Sequence, residues 1–296
     1  MSTLMKRVFL CIIGLLAGLA SWAAVELIII QQAKFPSYLL FSITLGIIVG
    51  IFMSGFFGTS EGIFLADGSK IIKGIITGII VGTIGGTAGF LIGQAILFAA
   101  GNNLAHSVSD INKIALPLTR TIGWSILGIF IGITEGIRSF SFRKIKVGFL
   151  GGMLGGITGG LAVEYLPRIL DNLLVARLVG FLSFGFFIGI FYGIIEKTFS
   201  LGILKLLNGK YKGKEFLINQ KRIKIGSSSW SDIKLSDYED IDPIHAEIFV
   251  KRKNVNIRNK SKESIIKVND DITEQKELKF EDVIQIGSAK FIFKYS

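Results

Sequence analysis

Cysteine occurs once in this chain, at Cys11, and histidine twice. No disulfide framework or Cys-based zinc site can be built from such a stock, and neither a metal nor a cofactor is expected. The motifs of several enzyme classes are missing as well: there is no P-loop, no nucleophile elbow, no HExxH, and no pair of carboxylates on a soluble segment that would set up an acid and a base. The sequence therefore predicts a protein that is not an enzyme. Charge is sparse through the first 200 residues and crowds into the remainder. The net charge of +11 is shared between the two parts and forms no basic stripe interleaved with aromatics, which argues against nucleic acid as a partner. His106 belongs to no motif and reads as a solvated loop residue.

What is present in quantity is apolar side chain and glycine: half of the residues are hydrophobic, mean hydropathy is +0.58, and 36 residues are glycine. Six stretches have the length and apolarity of spanning helices, at about 8–30, 38–58, 71–98, 121–138, 147–166 and 176–196. Residues 1–200 are thus expected to form a polytopic helical membrane domain. The first stretch carries Glu26 and no small-residue cleavage site, so it does not read as a signal peptide.

The glycines recur at intervals of four. In the odd stretches Gly14 and Gly18 precede Glu26, Gly82 and Gly86 precede Gln94, and Gly152 and Gly156 precede Glu164, all at one spacing. The even stretches carry Ser54, Gly58 and Gly62, then Gly128, Gly132 and Gly136, then Gly185, Gly189 and Gly193. GTSEGI at 58–63 returns as GITEGI at 132–137, and Pro36, Pro117 and Pro167 each fall between an odd and an even stretch. The pattern predicts three tandem helical hairpins. Residues four apart share a helix face, so each ladder offers a groove in which a neighbouring backbone can approach closely.

Lys6, Arg7, Lys70, Lys73, Arg138, Arg143, Lys144, Lys146 and Lys197 gather on one side of the spans, against Lys34, Lys113, Arg120, Arg168 and Arg177 on the other. The richer side is expected in the cytoplasm, with both termini, in a multi-pass protein of the cell (inner) membrane. Carboxyl groups at the edge of hydrocarbon are costly unless paired or turned inward. Glu26, Gln94 and Glu164 stand at matching points toward the outer ends, Glu61 and Glu135 toward the inner ends, and Tyr192 takes the third inner place. Two readings follow: an intramembrane polar site around a pseudo-threefold axis, or residues that cap helix ends and pair with nearby Arg and Lys. None lies mid-span, which favours the second.

From Tyr211 onward short alternating runs such as RIKIG, AEIFV, NVNIR and KFIFK, broken by Gly, Asn, Asp and Ser, predict a small all-β sandwich at 211–296, joined by a short linker at 201–210. IGSSSWSDIKLSDYEDIDPIHAEI at 225–248, KVND at 267–270 and EDVIQIGSAKFIF at 281–293 resemble a forkhead-associated (FHA) domain. The resemblance implies a phosphothreonine-peptide module in which an arginine and a serine hold the phosphate and an asparagine contacts the peptide. Ser227 stands in the arginine's place, Asp242 in the serine's, and Asn269 in the asparagine's. Gly226, His245 and Gly287 fall at positions that support turns. An arginine fork binds phosphate bidentately and a carboxylate repels it, so the module is expected to bind a partner protein without phosphate or to dock on its own membrane domain.

Taken together, the sequence predicts a membrane scaffold whose FHA-like module recruits a cytoplasmic protein partner, with membrane lipids around the bundle and homo-oligomers compatible with its small-residue faces. The alternative is a channel or transporter with a pore among the hairpins, regulated by the module. The middle of the spans, without Asp, Lys or Arg, favours the scaffold.

Overall fold

Long apolar runs set off by short polar turns give the helices their ends. The computed structural model describes residues 3–104, 115–252, 254–261 and 263–295; His106 and Lys113 lie outside them. Among the described residues six helices are long and apolar enough to cross a membrane: α1 (Thr3–Ile30), α2 (Tyr38–Leu65), α3 (Gly68–Leu104), α4 (Leu116–Arg138), α5 (Phe142–Ile169) and α6 (Leu173–Thr198). The hydroxyls of Ser37 and Ser141 and the amide oxygen of Asn172 accept from backbone N–H groups in the first turns of α2, α5 and α6, satisfying donors that a helix start leaves unpaired. Asp67 does the same for α3 through Ser69 N at 3.0 Å.

Each helix packs on the next, and α6 packs on α1, so the bundle closes into a ring. Three seams of this ring are built from glycine. In the α2–α3 seam Gly50 meets Gly82 and Gly58 meets Gly74; in α4–α5 Gly128 meets Gly152 and Gly132 meets Gly148; in α6–α1 Gly185 meets Gly14 and Gly189 meets Leu10. At each of these places an added Cβ would run into the carbonyl of the facing helix. These contacts join the even helix of one predicted hairpin to the odd helix of the next, and the sixth helix to the first; inside the second and third hairpins Gly89 also meets Gly123, and Gly151, Gly155 and Gly159 meet the α6 backbone at Tyr192, Ile188 and Phe184.

The seams also fix a register. The shift that carries Gly58 onto Gly132 carries Gly74 onto Gly148, and Gly62 against Ile71 onto Gly136 against Ile145. It carries Ala66 (φ 57°) onto Phe140 (φ 49°), both left-handed at a helix end, and the cap Asp67 onto the cap Ser141. Under this shift Glu164 corresponds to Phe90. Gln94, expected to match Glu26 and Glu164, lies one turn farther along.

The remainder of the chain is a two-sheet β-sandwich. One sheet has the order β2 (Glu215–Leu217), β1 (Ile203–Leu206), β11 (Ala289–Lys294), β10 (Val283–Ile286), β7 (Ile266–Val268) and β8 (Asp271–Thr273). The other runs β4 (Ile233–Lys234), β3 (Arg222–Gly226), β5 (Ala246–Lys251), β6 (Asn254–Asn259) and β9 (Gln275–Glu277). Alternate residues from both sheets, among them Leu204, Ile225, Ile248, Ile257, Ile284 and Phe291, meet in one buried core. The predicted linker is corrected here. Its residues 203–206 are β1, paired with β11 so that Leu204 faces Phe293 and Leu206 faces Phe291. The sandwich thus begins about one turn after α6, because the alternation in Ile-Leu-Lys-Leu places Leu204 and Leu206 in the core.

Candidate functional site

Three levels follow one another along the bundle axis. At the end remote from the sandwich, all six helices line a cavity of about 740 Å³, whose walls include Phe41, Leu45, Phe90, Trp124, Gln94 and Arg177. Two ion pairs stand at this level, each across a glycine seam. Arg177 forks onto Glu26, its Nη2 donating to Oε2 at 2.9 Å. Arg120 lies 3.6 Å from Glu164, whose other oxygen accepts from Trp124 Nε1 at 2.9 Å. The corresponding place in the α2–α3 seam holds Gly46 against the Phe90 ring, and that ring packs edge-on against Trp124 with centroids 5.2 Å apart. Where the carboxylate is missing, the arginine is missing with it.

The middle level is an apolar plug of Val49, Met53, Phe57, Leu127, Ile131, Phe184 and Ile188, all buried. Among the described residues no acidic or basic side chain enters it.

At the end that carries the sandwich, Glu61 and Glu135 come together over two cations. Lys144 Nζ donates to Glu61 at 2.7 Å and lies 3.4 Å from Glu135. Arg138 donates to Glu135 at 2.6 and 2.9 Å and to Glu61 at 3.0 Å. Lys144 and Glu135 are almost wholly buried, at 4% and 8% side-chain exposure. Such a cluster is tolerable away from water only because each charge has opposite charge and hydrogen bonds around it. Tyr192, at the third place, is buried beside Leu10 and Val147. Thus the structure gathers Glu61 and Glu135 at one end and Glu26 and Glu164 at the other, while Gln94 lines the cavity without joining an ion pair among the described contacts.

Three lysines at corresponding places, Lys6, Lys70 and Lys144, ring this end, and two of them reach toward the sandwich. Lys6 donates to Glu196 at 2.7 Å, and the same oxygen accepts from Asn219 of the sandwich at 2.9 Å. Lys70 donates to the carbonyls of Ser231 and Asp232, in the turn after β3, at 3.0 and 3.2 Å. These contacts were not legible in the sequence: a lysine near a helix start marks sidedness but not the backbone it reaches.

In the sandwich, Ser227 N donates to Asp242 O at 3.0 Å, so these two positions are neighbours. Gly226 allows that approach, since a Cβ there would meet the Pro243 carbonyl. His245 is fully buried, its Nδ1 accepting from Asp242 N at 3.4 Å and its Nε2 lying 3.2 Å from Ile265 O. Gly287 has φ 52° and lies close to the Glu239 and Asp240 carbonyls. Asn269, at φ 55°, spends its amide internally: Oδ1 accepts from Val283 N at 2.8 Å and Nδ2 donates to Asp282 at 2.8 Å. Among the described residues no hydrogen bond joins it to Ser227 or Asp242. Glu247 lies under Arg258 (2.6 Å), Lys260 (3.6 Å) and Arg222 (3.9 Å). Burial pushes its carboxyl up, but the Arg258 hydrogen bond and the three cations outweigh this and hold it below the ordinary range.

A family model described as the cytoplasmic domain of an inner membrane component of the type III secretion system matches residues 205–296. No curated protein matches the chain. Among solved structures, an FHA domain of a Chlamydia trachomatis protein is 25% identical over 32% of this chain and 97% of its own, with TM-score 0.30. The cytoplasmic domain of the secretion sorting-platform protein PscD of P. aeruginosa is 18% identical over 32% of this chain and 79% of its own, with TM-score 0.29. An FHA domain studied for phosphothreonine-dependent interactions is 20% identical over 32% and 96%, with TM-score 0.30. The described chain is a six-helix apolar domain followed by an FHA-like sandwich.

Proposed function

We propose that this chain is a non-catalytic scaffold of the inner membrane, with both termini in the cytoplasm, that holds its FHA-like module at the bilayer and offers it to a cytoplasmic protein without reading phosphothreonine. The observation that carries this reading is the state of the phosphate end of the module. Ser227 and Asp242 bring no fork and add a carboxylate, and Asn269 is committed to Asp282 and Val283. The crowding of Lys and Arg at the module end of the bundle supports the orientation. The family description fits a module that serves an assembly on the cytoplasmic face. The test is capture of partners by the full chain in nanodiscs from phosphatase-treated and untreated cytosol. Equal recovery of the same partner is expected, and its loss after phosphatase would sink the reading.

A second reading is favoured by the axial cavity lined by all six helices. It makes the bundle a closed transporter whose plug must part, with the module seated on one mouth. Ion flux in proteoliposomes, altered by Glu61→Gln with Glu135→Gln, would support it; absence of flux in the parent protein would remove it.

A further inference from the structure

Among the described residues Trp230 is the most exposed large hydrophobic residue of the sandwich, at 79%, although it sits next to the membrane domain. The turn that carries it, between β3 and β4, is tied down by the two hydrogen bonds that Lys70 gives to Ser231 and Asp232. Lys73, one turn further into α3, lies over the indole ring, 5.3 Å from its centroid. Around Lys73 the surface of α3 is apolar and outward-facing, with Ile72 and Ile76 61% and 54% exposed. A helix face of this kind in a spanning segment looks at lipid. The ring is therefore held where the spanning surface of α3 begins.

The two helix turns at this end differ in their exposed aromatic residues. The α4–α5 turn projects Phe140 and Phe142, and the register of the seams places them opposite Ala66 and Gly68 in the α2–α3 turn. One turn carries exposed aromatic side chains and the other carries none at the matching places. Trp230 stands beside the turn that lacks them. Indole is suited to the headgroup boundary, where its apolar body leaves water while its N–H keeps a polar neighbour.

We infer that the turn between β3 and β4 is a lipid-binding element: Trp230 inserts at the headgroup boundary of the adjacent leaflet, and Lys73 beside it favours anionic headgroups. The occupant is lipid and not a protein because the surface is continuous with the lipid-facing side of α3 and because the neighbouring charge is basic. The module is then held by the bilayer as well as by the bundle, and its orientation responds to lipid composition. This inference needs the bundle to lie in a bilayer and is independent of which leaflet is cytoplasmic.

The experiment uses the full chain in nanodiscs, comparing the parent with Trp230→Phe so that the difference in emission isolates Trp230. Lipids brominated near the acyl carbonyls should quench that difference emission, and aqueous acrylamide should not. The loss should be greater in discs containing phosphatidylglycerol than in phosphatidylcholine alone, and Lys73→Gln should abolish that increment. Emission that acrylamide quenches and brominated lipid leaves untouched would overturn the inference, as would shielding that appears only on adding cytosolic protein. Equal quenching in both lipid mixtures would overturn the anionic preference. Trp22, partly buried on α1 and read in the Trp230→Phe protein, reports separately whether the bundle sits in the bilayer.

Discussion

Lys144 stands between Glu61 and Glu135, 2.7 Å from one and 3.4 Å from the other, and so ties α5 to α2 as well as to α4 at the end where the module sits. Together with Arg138 it balances two carboxylates in a space with almost no access to water.

Lys144→Met is expected to destabilise the bundle by about 3–5 kcal/mol, because it leaves a buried carboxylate without one of its cations. Adding Glu61→Gln to Lys144→Met should recover part of the loss, since the remaining Arg138 and Glu135 still balance. Unfolding of the three proteins in detergent, titrated with dodecyl sulfate, reads the difference.

Gly50→Ala is expected to cost about 1–3 kcal/mol, the usual penalty for overfilling a packed contact. Its new methyl would meet the Gly82 carbonyl, and neither backbone can yield without opening the seam. Gly55→Ala is the control: nothing lies within 4 Å of its added Cβ, and alanine is the better helix former. Thermal unfolding in the same detergent should therefore fall for the first and hold or rise for the second.

Asn269→Ala should destabilise the sandwich by about 0.5–1.5 kcal/mol, because it removes the hydrogen bonds to the Val283 N–H and to Asp282. A ligand-contacting asparagine would instead change partner capture while leaving the unfolding midpoint in place. Chemical unfolding followed by β-sheet circular dichroism separates the two outcomes.

Glu247 predicts an acid limb. Its carboxyl is held below the ordinary value of 4.5, so its contribution is present above that value and is lost as pH falls through the depressed one. Unfolding midpoints of the sandwich measured from pH 7 down to about pH 3 should show a drop that Glu247→Gln flattens, on top of a lower plateau at pH 7.

The six helices were legible because each presents a long run of apolar side chains. The sandwich was legible because its strands alternate and its turns carry Gly226, His245 and Gly287 at familiar intervals. The matching of Gln94 to Glu164 was a register error with a simple cause. Gly74, Gly78, Gly82 and Gly86 repeat every four residues, so sliding α3 by one turn leaves its glycine pattern almost unchanged. The turn before it is not self-similar: Ala66 and Asp67 align with Phe140 and Ser141 in only one way, and that alignment gives Phe90. β1 is hidden in the sequence because Ile203–Leu206 follows a helix almost directly, and only its pairing with β11 shows that Leu204 and Leu206 point into a core. Docking of the module on its own membrane domain was open to a sequence reading, but the contacts that make it were not, because Lys70 meets carbonyl oxygens, which every residue possesses.

Closure of α6 onto α1 bears on how the protein is made. As the chain emerges, the first helix enters the bilayer with its glycine face bare, and that face stays bare until the last helix is synthesised. During this interval another newly made chain can offer its own sixth helix, giving exchanged pairs with every contact satisfied. A short delay between α5 and α6 would therefore decide whether single copies or interlocked ones accumulate.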